Sequence, residues 1–198
     1  MRIIGGKYKG YTILSQKSLQ IRPTSDRARE SIFNVLQHSL TTDKQDHVVE
    51  DSNVLDLCCG TGALGLEAIS RGAKSVLFVD NSPNSSKIVR KNIEKFKIKK
   101  NCTVKCQNAT QIKSIKNSFS LFFIDPPYRM EIVGKILESL DKQKILKENA
   151  IGVIELGKKR VFDLVDNFLL IKKTTISSSQ FLFVKYRKKK INLELDIS

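Results

Sequence analysis

A regular alternation of short apolar runs with amphipathic segments, between residues 53 and 156, restricts the fold of this chain more than any other feature. Apolar runs predict strands at 53–58, 76–80, 102–107, 121–125 and 150–156. Amphipathic segments predict helices at 63–71, from Pro83 onward and near 131–140. Parallel neighbouring strands need a crossover, which is usually a helix. The alternation therefore predicts an α/β fold, with a mostly parallel sheet covered by helices on both faces.

The two ends of the chain depart from this alternation. Residues 168–176 and 180–186 are separated by three serines only, so we expect them to pair as an antiparallel hairpin. Residues 2–14 alternate loosely around three glycines, which predicts a short basic hairpin outside the main core. Pro23 then signals the start of a helix. We expect a β-hairpin extension, a main domain and a tail, over 1–20, 21–190 and 191–198.

The charge of the chain points to a polyanionic partner. The 198 residues include 35 Lys and Arg against 20 Asp and Glu, a net charge of +15 with a pI near 9.7. A field of this sign favours encounter with nucleic acid, although a lysine-rich solvated surface is the alternative. No apolar run approaches the roughly 18 residues that span a bilayer, so we expect a soluble, cytoplasmic protein without a membrane partner. The four cysteines show no metal-binding spacing, and we predict no metal.

A glycine-rich turn follows the first predicted strand. The stretch VLDLCCGTGALG has Gly60, Gly62 and Gly65 in the G-x-G-x-x-G spacing, and Asp80 ends the second strand about 20 residues later. Such a turn lets the backbone approach a ligand, and a carboxylate after it can accept hydrogen bonds from ribose hydroxyls. A nucleoside-bearing cofactor is predicted. Asp56 disfavours a pyrophosphate and favours a cationic amino-acid group, so S-adenosylmethionine fits better than a nicotinamide dinucleotide.

The stretch FFIDPPY interrupts the fourth predicted strand. Pro126 and Pro127 cannot donate to a sheet ladder or continue a helix, so the strand must stop at Asp125. Asp125 and the Pro126 carbonyl are then hydrogen-bond acceptors held at a strand end. Tyr128 follows them with an aromatic ring that can stack on a planar ligand.

These motifs carry a family resemblance. DLCCGTG from Asp56, the carboxylate Asp80 and DPPY from Asp125 resemble the cofactor loop, ribose acid and catalytic motif of class I S-adenosylmethionine-dependent methyltransferases acting on amino nitrogens. With MRIIGGKYKG, RPTSDRARESIFN and GALGLEAISRGA added, the chain up to about residue 186 resembles the RsmD family, which methylates the exocyclic N2 of a guanine in 16S ribosomal RNA. The N-terminal blocks make the resemblance specific, because the other motifs recur in many methyltransferases.

The resemblance implies a Rossmann-like fold with a seven-stranded sheet, its last strand antiparallel, and a basic N-terminal hairpin near the RNA. It implies S-adenosylmethionine as methyl donor and S-adenosylhomocysteine as product. The expected partner is 16S rRNA within a small ribosomal subunit or its assembly intermediate, and the protein is expected to be a monomer. The implied catalytic residues are Asp125, Pro126, Pro127 and Tyr128. The implied cofactor-binding residues are Asp56, Cys58, Gly60, Thr61, Gly62, Asp80, Asn81, Asn108 and Ala109. The expected RNA-binding residues are Arg2, Lys7, Lys9, Arg22, Arg27 and Arg29.

The chain departs from the family pattern at two places. Cys58 and Cys59 replace Phe-Ala or a similar pair, and Thr110 stands where the family often has an acid that contacts the adenine amino group. Two other functions stay open: an adenine-N6 methyltransferase on DNA or RNA, because DPPY does not distinguish the two amines, and an inactive basic RNA-binding module. A protein-glutamine methyltransferase fits less well, since that family usually has Asn in place of Asp125.

Overall fold

A seven-stranded mixed sheet forms the centre of the structure. The computed structural model describes residues 1–15, 25–38, 40, 48–113, 115, 118–127 and 132–188. In chain order the strands are β1 (Asn53–Leu57), β2 (Ser75–Asp80), β3 (Cys102–Cys106), β4 (Phe119–Ile124), β5 (Leu146–Gly157), β6 (Phe168–Ile176) and β7 (Ser179–Tyr186). Their order across the sheet is β3-β2-β1-β4-β5-β7-β6.

The strand directions confirm the predicted architecture. β1 pairs in parallel with β2 and β4, and the outer pairs β2–β3 and β4–β5 are parallel as well. β7 runs antiparallel to both β5 and β6, as expected for a closing hairpin. Strands β2 and β3 follow β1 outward on one side, and the chain then crosses to the other side of β1, where it forms β4. The crevice beyond the carboxyl ends of β1 and β4 is therefore the usual ligand site of such a sheet.

Helices cover both faces of the sheet and divide its core in two. The helices are α1 (Asp26–His38), α2 (Ala63–Ser70), α3 (Pro83–Lys95) and α4 (Val133–Lys142). The first three pack in one apolar cluster with residues such as Phe78 and Phe123, and α4 packs in the other with residues such as Phe122 and Ile154. In the described part of the chain, no helix is both long and apolar enough to cross a membrane.

Strand β5 is longer than the sequence predicts. It begins at Leu146, because Leu146 pairs with Phe119 before the ladder shifts register and continues from Leu121 opposite Ile151. The residues between are Lys147, Glu148 and Asn149, which are exposed and interrupt the apolar run. Exposed residues at such a register shift give no apolar signal, which is why the predicted strand starts at residue 150.

The N-terminal segment, residues 1–15, corrects the prediction of a hairpin outside the main core. Its antiparallel pairing is reduced to one bridge between Arg2 and Thr12. Ile3 and Ile13 are buried in the same cluster as α1, α2 and α3. Two backbone N–H groups, of Ile4 and Gly5, donate to the buried carboxylate of Glu67 at 2.8 Å. The segment is therefore fixed to α2 by polar contacts that periodicity in the sequence cannot reveal.

Candidate active site

Acidic side chains meet at the carboxyl edge of the sheet, where the strand order reverses. The last paired row across the three central strands consists of Leu57, Val79 and Ile124. The row beyond it consists of Cys58, Asp80 and Asp125. The Asp125 N–H points to the Leu57 carbonyl at 3.4 Å, which keeps Asp125 beside β1 after β4 has ended. The predicted cofactor acid and the predicted catalytic acid thus flank one loop.

The Cys58 thiol lies in the field of these carboxylates. Burial, and then the charges of Asp80, Asp125 and Asp56, raise the pKa of Cys58 to about 12. The thiol is accordingly neutral at physiological pH, and it is not a thiolate nucleophile. The backbone of Cys58 is left-handed, with φ of 55°. The residue therefore turns the chain out of β1 into the glycine loop, at some conformational cost for a residue other than glycine.

Asp80 holds the glycine loop in place. One of its oxygens accepts from the Gly60 N–H at 2.9 Å and the other accepts from the Ser82 N–H at 2.9 Å. Gly60 has φ of 53°, and a Cβ added there would meet nothing within 4 Å, so its backbone borders open space. An ionised carboxylate offers about four acceptor positions, and these contacts use two. Asp80 can therefore brace the loop and still accept hydrogen bonds from a ligand diol.

Asp56 is buried beneath the same loop and fastens the start of α2. Its Oδ2 accepts from the Gly65 N–H at 2.9 Å, and the side chain is 1% exposed. Burial raises the pKa of Asp56 to about 8; the Gly65 N–H acts against this shift and the Asp80 charge adds to it. Gly62, with φ of 78°, lies directly before α2. Asp56 is thus a poorly solvated acid that a nearby cation would help to ionise.

The residues expected at the adenine end lie on loops after β2 and β3. Asn81 is exposed, next to Asp80. The Asn108 Oδ1 accepts from both the N–H and the hydroxyl of Thr110 at 2.9 Å, which forms a short cap, and Ala109 is buried beneath it. The Thr110 hydroxyl therefore stabilises the turn after β3, and this turn forms without an acidic side chain at position 110.

In the described part of the FFIDPPY motif, β4 ends at Ile124, next to the predicted stop at Asp125. Asp125 is partly exposed, Pro126 is buried and Pro127 is exposed, so the chain turns away from the sheet directly after β4. Tyr128 lies outside the described residues. Glu155 belongs to none of the sequence motifs. β4 and β5 pair through Ile124 and Ile154, so Glu155 follows this last pair within β5, and Asp125 follows it just beyond the end of β4. Glu155 is 5% exposed, and buried carboxylates are uncommon.

Asn92 is a second residue that sequence analysis missed. It is fully buried on α3, and its Oδ1 accepts from the Leu14 N–H at 2.8 Å. Its Nδ2 donates to the carbonyls of Leu14 and Thr61, both at 3.2 Å. One amide thus joins the N-terminal segment to the glycine loop. A signal existed, because a polar residue falls within the apolar stripe of α3 next to Val89 and Ile93.

The predicted RNA-binding set separates into exposed and buried members. Arg2, Lys7, Lys9 and Arg27 are exposed. Arg29 is not available to RNA: its side chain is 0% exposed and donates to Asp26 at 2.8 Å and to the Arg2 carbonyl. Arg29 precedes Ile32, Phe33 and Leu36 by three, four and seven residues, so it shares the helix face that packs into the core. Arg22 lies outside the described residues.

The chain is similar to known methyltransferases in sequence and in fold. The family model described as conserved hypothetical protein 95 matches residues 1–185. The ribosomal RNA small subunit methyltransferase D of Escherichia coli K12 is 32% identical over 163 residues, covering 78% of this chain and 74% of that protein. The Buchnera aphidicola protein of the same name, from the Acyrthosiphon pisum symbiont, is 29% identical over 92% of both chains. The solved structure of Escherichia coli yhhF has a TM-score of 0.80 at 26% identity, covering 96% of this chain and 99% of that one.

Proposed function

Because the chain belongs to the RsmD family of rRNA methyltransferases, we propose that it transfers a methyl group from S-adenosylmethionine to the exocyclic N2 of a guanine in 16S rRNA. The relatives' names support methylation of small-subunit rRNA. The observation that carries the proposal is the row of Asp80, Cys58 and Asp125, which sets a ribose-type acceptor and an amine-type acceptor on either side of a glycine loop.

The residues around the glycine loop fit the proposed methyl donor. The backbone at Gly60 borders open space, and Asp80 keeps acceptor positions for two ribose hydroxyls. Asp56 would supply a field that favours the ammonium of the amino-acid portion, and Asn81, Asn108 and Ala109 would contact the adenine end. When bound, S-adenosylmethionine supplies an electrophilic methyl group on a cationic sulfur.

Asp125 orients the amine in the proposed mechanism. An exocyclic purine amine is a weak nucleophile, so acceptors around its N–H bonds favour a geometry in which the lone pair faces the methyl group. Asp125 and the Pro126 carbonyl are these acceptors, and Tyr128 would stack on the base once it has left its own stack. Asp125 need not be a strong base, because the proton leaves a nitrogen that is already cationic after transfer.

Glu155 favours guanine over adenine in this proposal. Asp125 follows Phe123 by two residues, and Glu155 follows Val153 by two. The Phe123 and Val153 side chains pack in the same apolar cluster. Alternation in β5 then directs the Glu155 carboxylate to that face, and Asp125 follows directly after the end of β4, the neighbouring strand about 4.8 Å away. Guanine offers donors at both N1 and N2, which suit two carboxylates. Adenine offers an acceptor at N1, which would face a carboxylate unfavourably.

Identification of the methylated nucleoside tests the proposal. The protein would be incubated with labelled S-adenosylmethionine and with unmodified small ribosomal subunits, free 16S rRNA or DNA, followed by nucleoside mass spectrometry. We expect N2-methylguanosine in 16S rRNA. N6-methyladenine would support the adenine enzyme, and cofactor binding without transfer to any substrate would contradict the assigned chemistry. The absence of cofactor binding in a calorimetric titration would support an inactive RNA-binding module.

The raised pKa of Asp56 predicts that cofactor affinity depends on pH. Because the pKa is about 8 in the free protein, most molecules hold a proton on Asp56 at pH 6, and binding of a cationic group must release it. We expect affinity to rise about tenfold per pH unit below pH 7 and to level off above pH 8. Calorimetry in buffers of different ionisation enthalpy would detect the released proton. Asp56→Asn should bind more weakly and without this slope; a flat wild-type profile would refute the linkage.

The contacts of Asn92 predict a selective effect on the cofactor loop. Asn92→Ala leaves the Thr61 and Leu14 carbonyls without their amide donor and so loosens the glycine loop, and we expect cofactor affinity to fall about tenfold, or about 1.4 kcal/mol. Lys95→Met is the matched control one helical turn away, since Lys95 contacts the N-terminal segment at the Thr12 carbonyl but not the loop. Equal cofactor affinities of the two variants would contradict a positioning role for Asn92.

A further inference from the structure

One strongly basic region of this protein runs along α3 and β3. Residues 87–105, which we call the α3 edge, comprise most of α3, the following turn and most of β3. They contain a single acid, Glu94, and eight cations: Lys87, Arg90, Lys91, Lys95, Lys97, Lys99, Lys100 and Lys105. By contrast, residues 48–86 contain two cations and five acids. A lysine-rich composition spread evenly over the surface would not give this contrast.

The α3 edge and the N-terminal segment form one continuous surface. The Lys95 ammonium donates to the Thr12 carbonyl at 2.7 Å. The ring of Phe96 stacks on Tyr8 with 5.8 Å between centroids and meets Tyr11 edge-on at 5.6 Å. Residues 1–15 add three cations and no acid. Tyr11 is 50% exposed, so an aromatic ring lies open among cations, as on surfaces that bind single-stranded nucleic acid.

This surface extends from the active site to a remote edge of the sheet. α3 starts at Pro83, three residues after Asp80, and its 13 residues span about 20 Å. β3, at which the surface ends, is an outer strand of the sheet. Arg90 donates to the Val104 carbonyl at 3.1 Å, which holds the helix against that strand. When the base to be methylated lies at Asp125, only other nucleotides of the same RNA can therefore reach the α3 edge.

We propose that the α3 edge binds the phosphate backbone of the substrate RNA outside the target nucleotide. The inference rests on the proposed function, since it assumes an RNA substrate. Lysines spaced along a helix neutralise phosphates without reading bases, so the contact contributes affinity and orientation rather than sequence preference. The enzyme would thereby require RNA that extends well beyond the methylated base, and loss of the contact would raise KM for RNA while leaving kcat unchanged.

Two matched triple variants isolate the α3 edge. Two exposed helical lysines are replaced in each of α3 and α4, together with the exposed lysine in a left-handed conformation that stands two residues after each helix. The two helices pack on opposite faces of the sheet. The test variant is Lys87→Gln, Lys91→Gln and Lys97→Gln; the control variant is Lys135→Gln, Lys142→Gln and Lys144→Gln. Both lose the same charge from the same kinds of site.

Salt-dependent binding of unmodified 16S rRNA transcript tests the proposal. For the α3 variant we expect binding about tenfold weaker, with the slope of log affinity against log salt smaller by about 2, since each lost phosphate contact removes about 0.7. Lys→Arg at the same three positions should restore the slope, and the α4 variant should match the wild type. Equal slopes for the α3 and α4 variants would overturn the proposal.

Two further measurements separate this outcome from failure of the proposed function. Thermal unfolding and cofactor titration should be unchanged in both variants, because the substituted lysines are exposed. If the wild type methylates 16S rRNA and the slopes are equal, the α3 edge alone is refuted. If the wild type binds the transcript through the α3 edge but transfers no methyl group, the proposed reaction fails while the RNA surface stands.

Discussion

Replacement of Asp125 by alanine is expected to lower the rate of methyl transfer by about a thousandfold or more while cofactor affinity stays within about twofold of the wild type. Loss of one preorganised group at a reacting centre costs about 2.7–4 kcal/mol of transition-state stabilisation, and here the loss of amine orientation adds to it. Cofactor binding survives because Asp80 and the glycine loop are braced independently of Asp125. Single-turnover transfer to 16S rRNA and calorimetric titration would measure the two quantities.

The Asp125→Asn variant distinguishes an orienting group from a base. An amide keeps one acceptor oxygen but cannot take a proton at neutral pH. If Asp125 orients the amine, Asn should retain clearly more activity than Ala, about tenfold to a hundredfold below the wild type. Equal loss in both variants would indicate proton abstraction instead. Near-normal turnover of the Ala variant would remove Asp125 from the mechanism altogether.

Replacement of Gly65 by alanine is expected to destabilise the protein by about 2–3 kcal/mol, as overpacking of a dense core does, and to abolish measurable cofactor binding. A Cβ at this position would lie 2.4 Å from Phe78 and 2.9 Å from the Asp56 carboxylate. Phe78 is fully buried and has no space to yield. The start of α2 must therefore shift, which breaks the Gly65–Asp56 hydrogen bond and distorts the glycine loop.

Gly134→Ala is the matched control, a glycine near the start of α4. A Cβ there would meet its nearest atom, of Phe162, at 3.9 Å, which is ordinary contact. Alanine has the higher helix propensity, so this variant should be about 0.5–1 kcal/mol more stable than the wild type. Thermal or denaturant unfolding would measure both changes. A Gly65→Ala variant as stable as Gly134→Ala would show that the contact at the α2 start is not tight.

The sequence predicted the elements whose signal is local. Pro23 indicated the helix that became α1, apolar runs identified the strands β1 to β4 to within two residues, and the three-serine connection identified the closing hairpin. Glycine and proline spacing located the turn before α2 and the end of β4. Each of these signals depends on a few consecutive residues, so the prediction requires no knowledge of the partner elements.

The tertiary structure alone decided which polar groups are buried and what they contact. Arg29 and Arg27 are two residues apart on one helix and look equally suited to RNA, yet Arg29 is held by Asp26 inside the core. Glu155 resembles any strand carboxylate until the β4–β5 register sets it beside Asp125. Asn92 joins residues separated from it by 78 and 31 positions.

The chain by itself thus determined the alternating architecture, the glycine turn, the carboxylates that end two strands and the excess of positive charge. Folding decided that the α3 edge and the N-terminal segment form one basic surface, that the N-terminal segment belongs to the core, and that Asp80, Cys58 and Asp125 form one row. The physical reason is that local patterns fix backbone conformation, whereas burial, pKa and charge density depend on groups distant in sequence that only the packed sheet brings together.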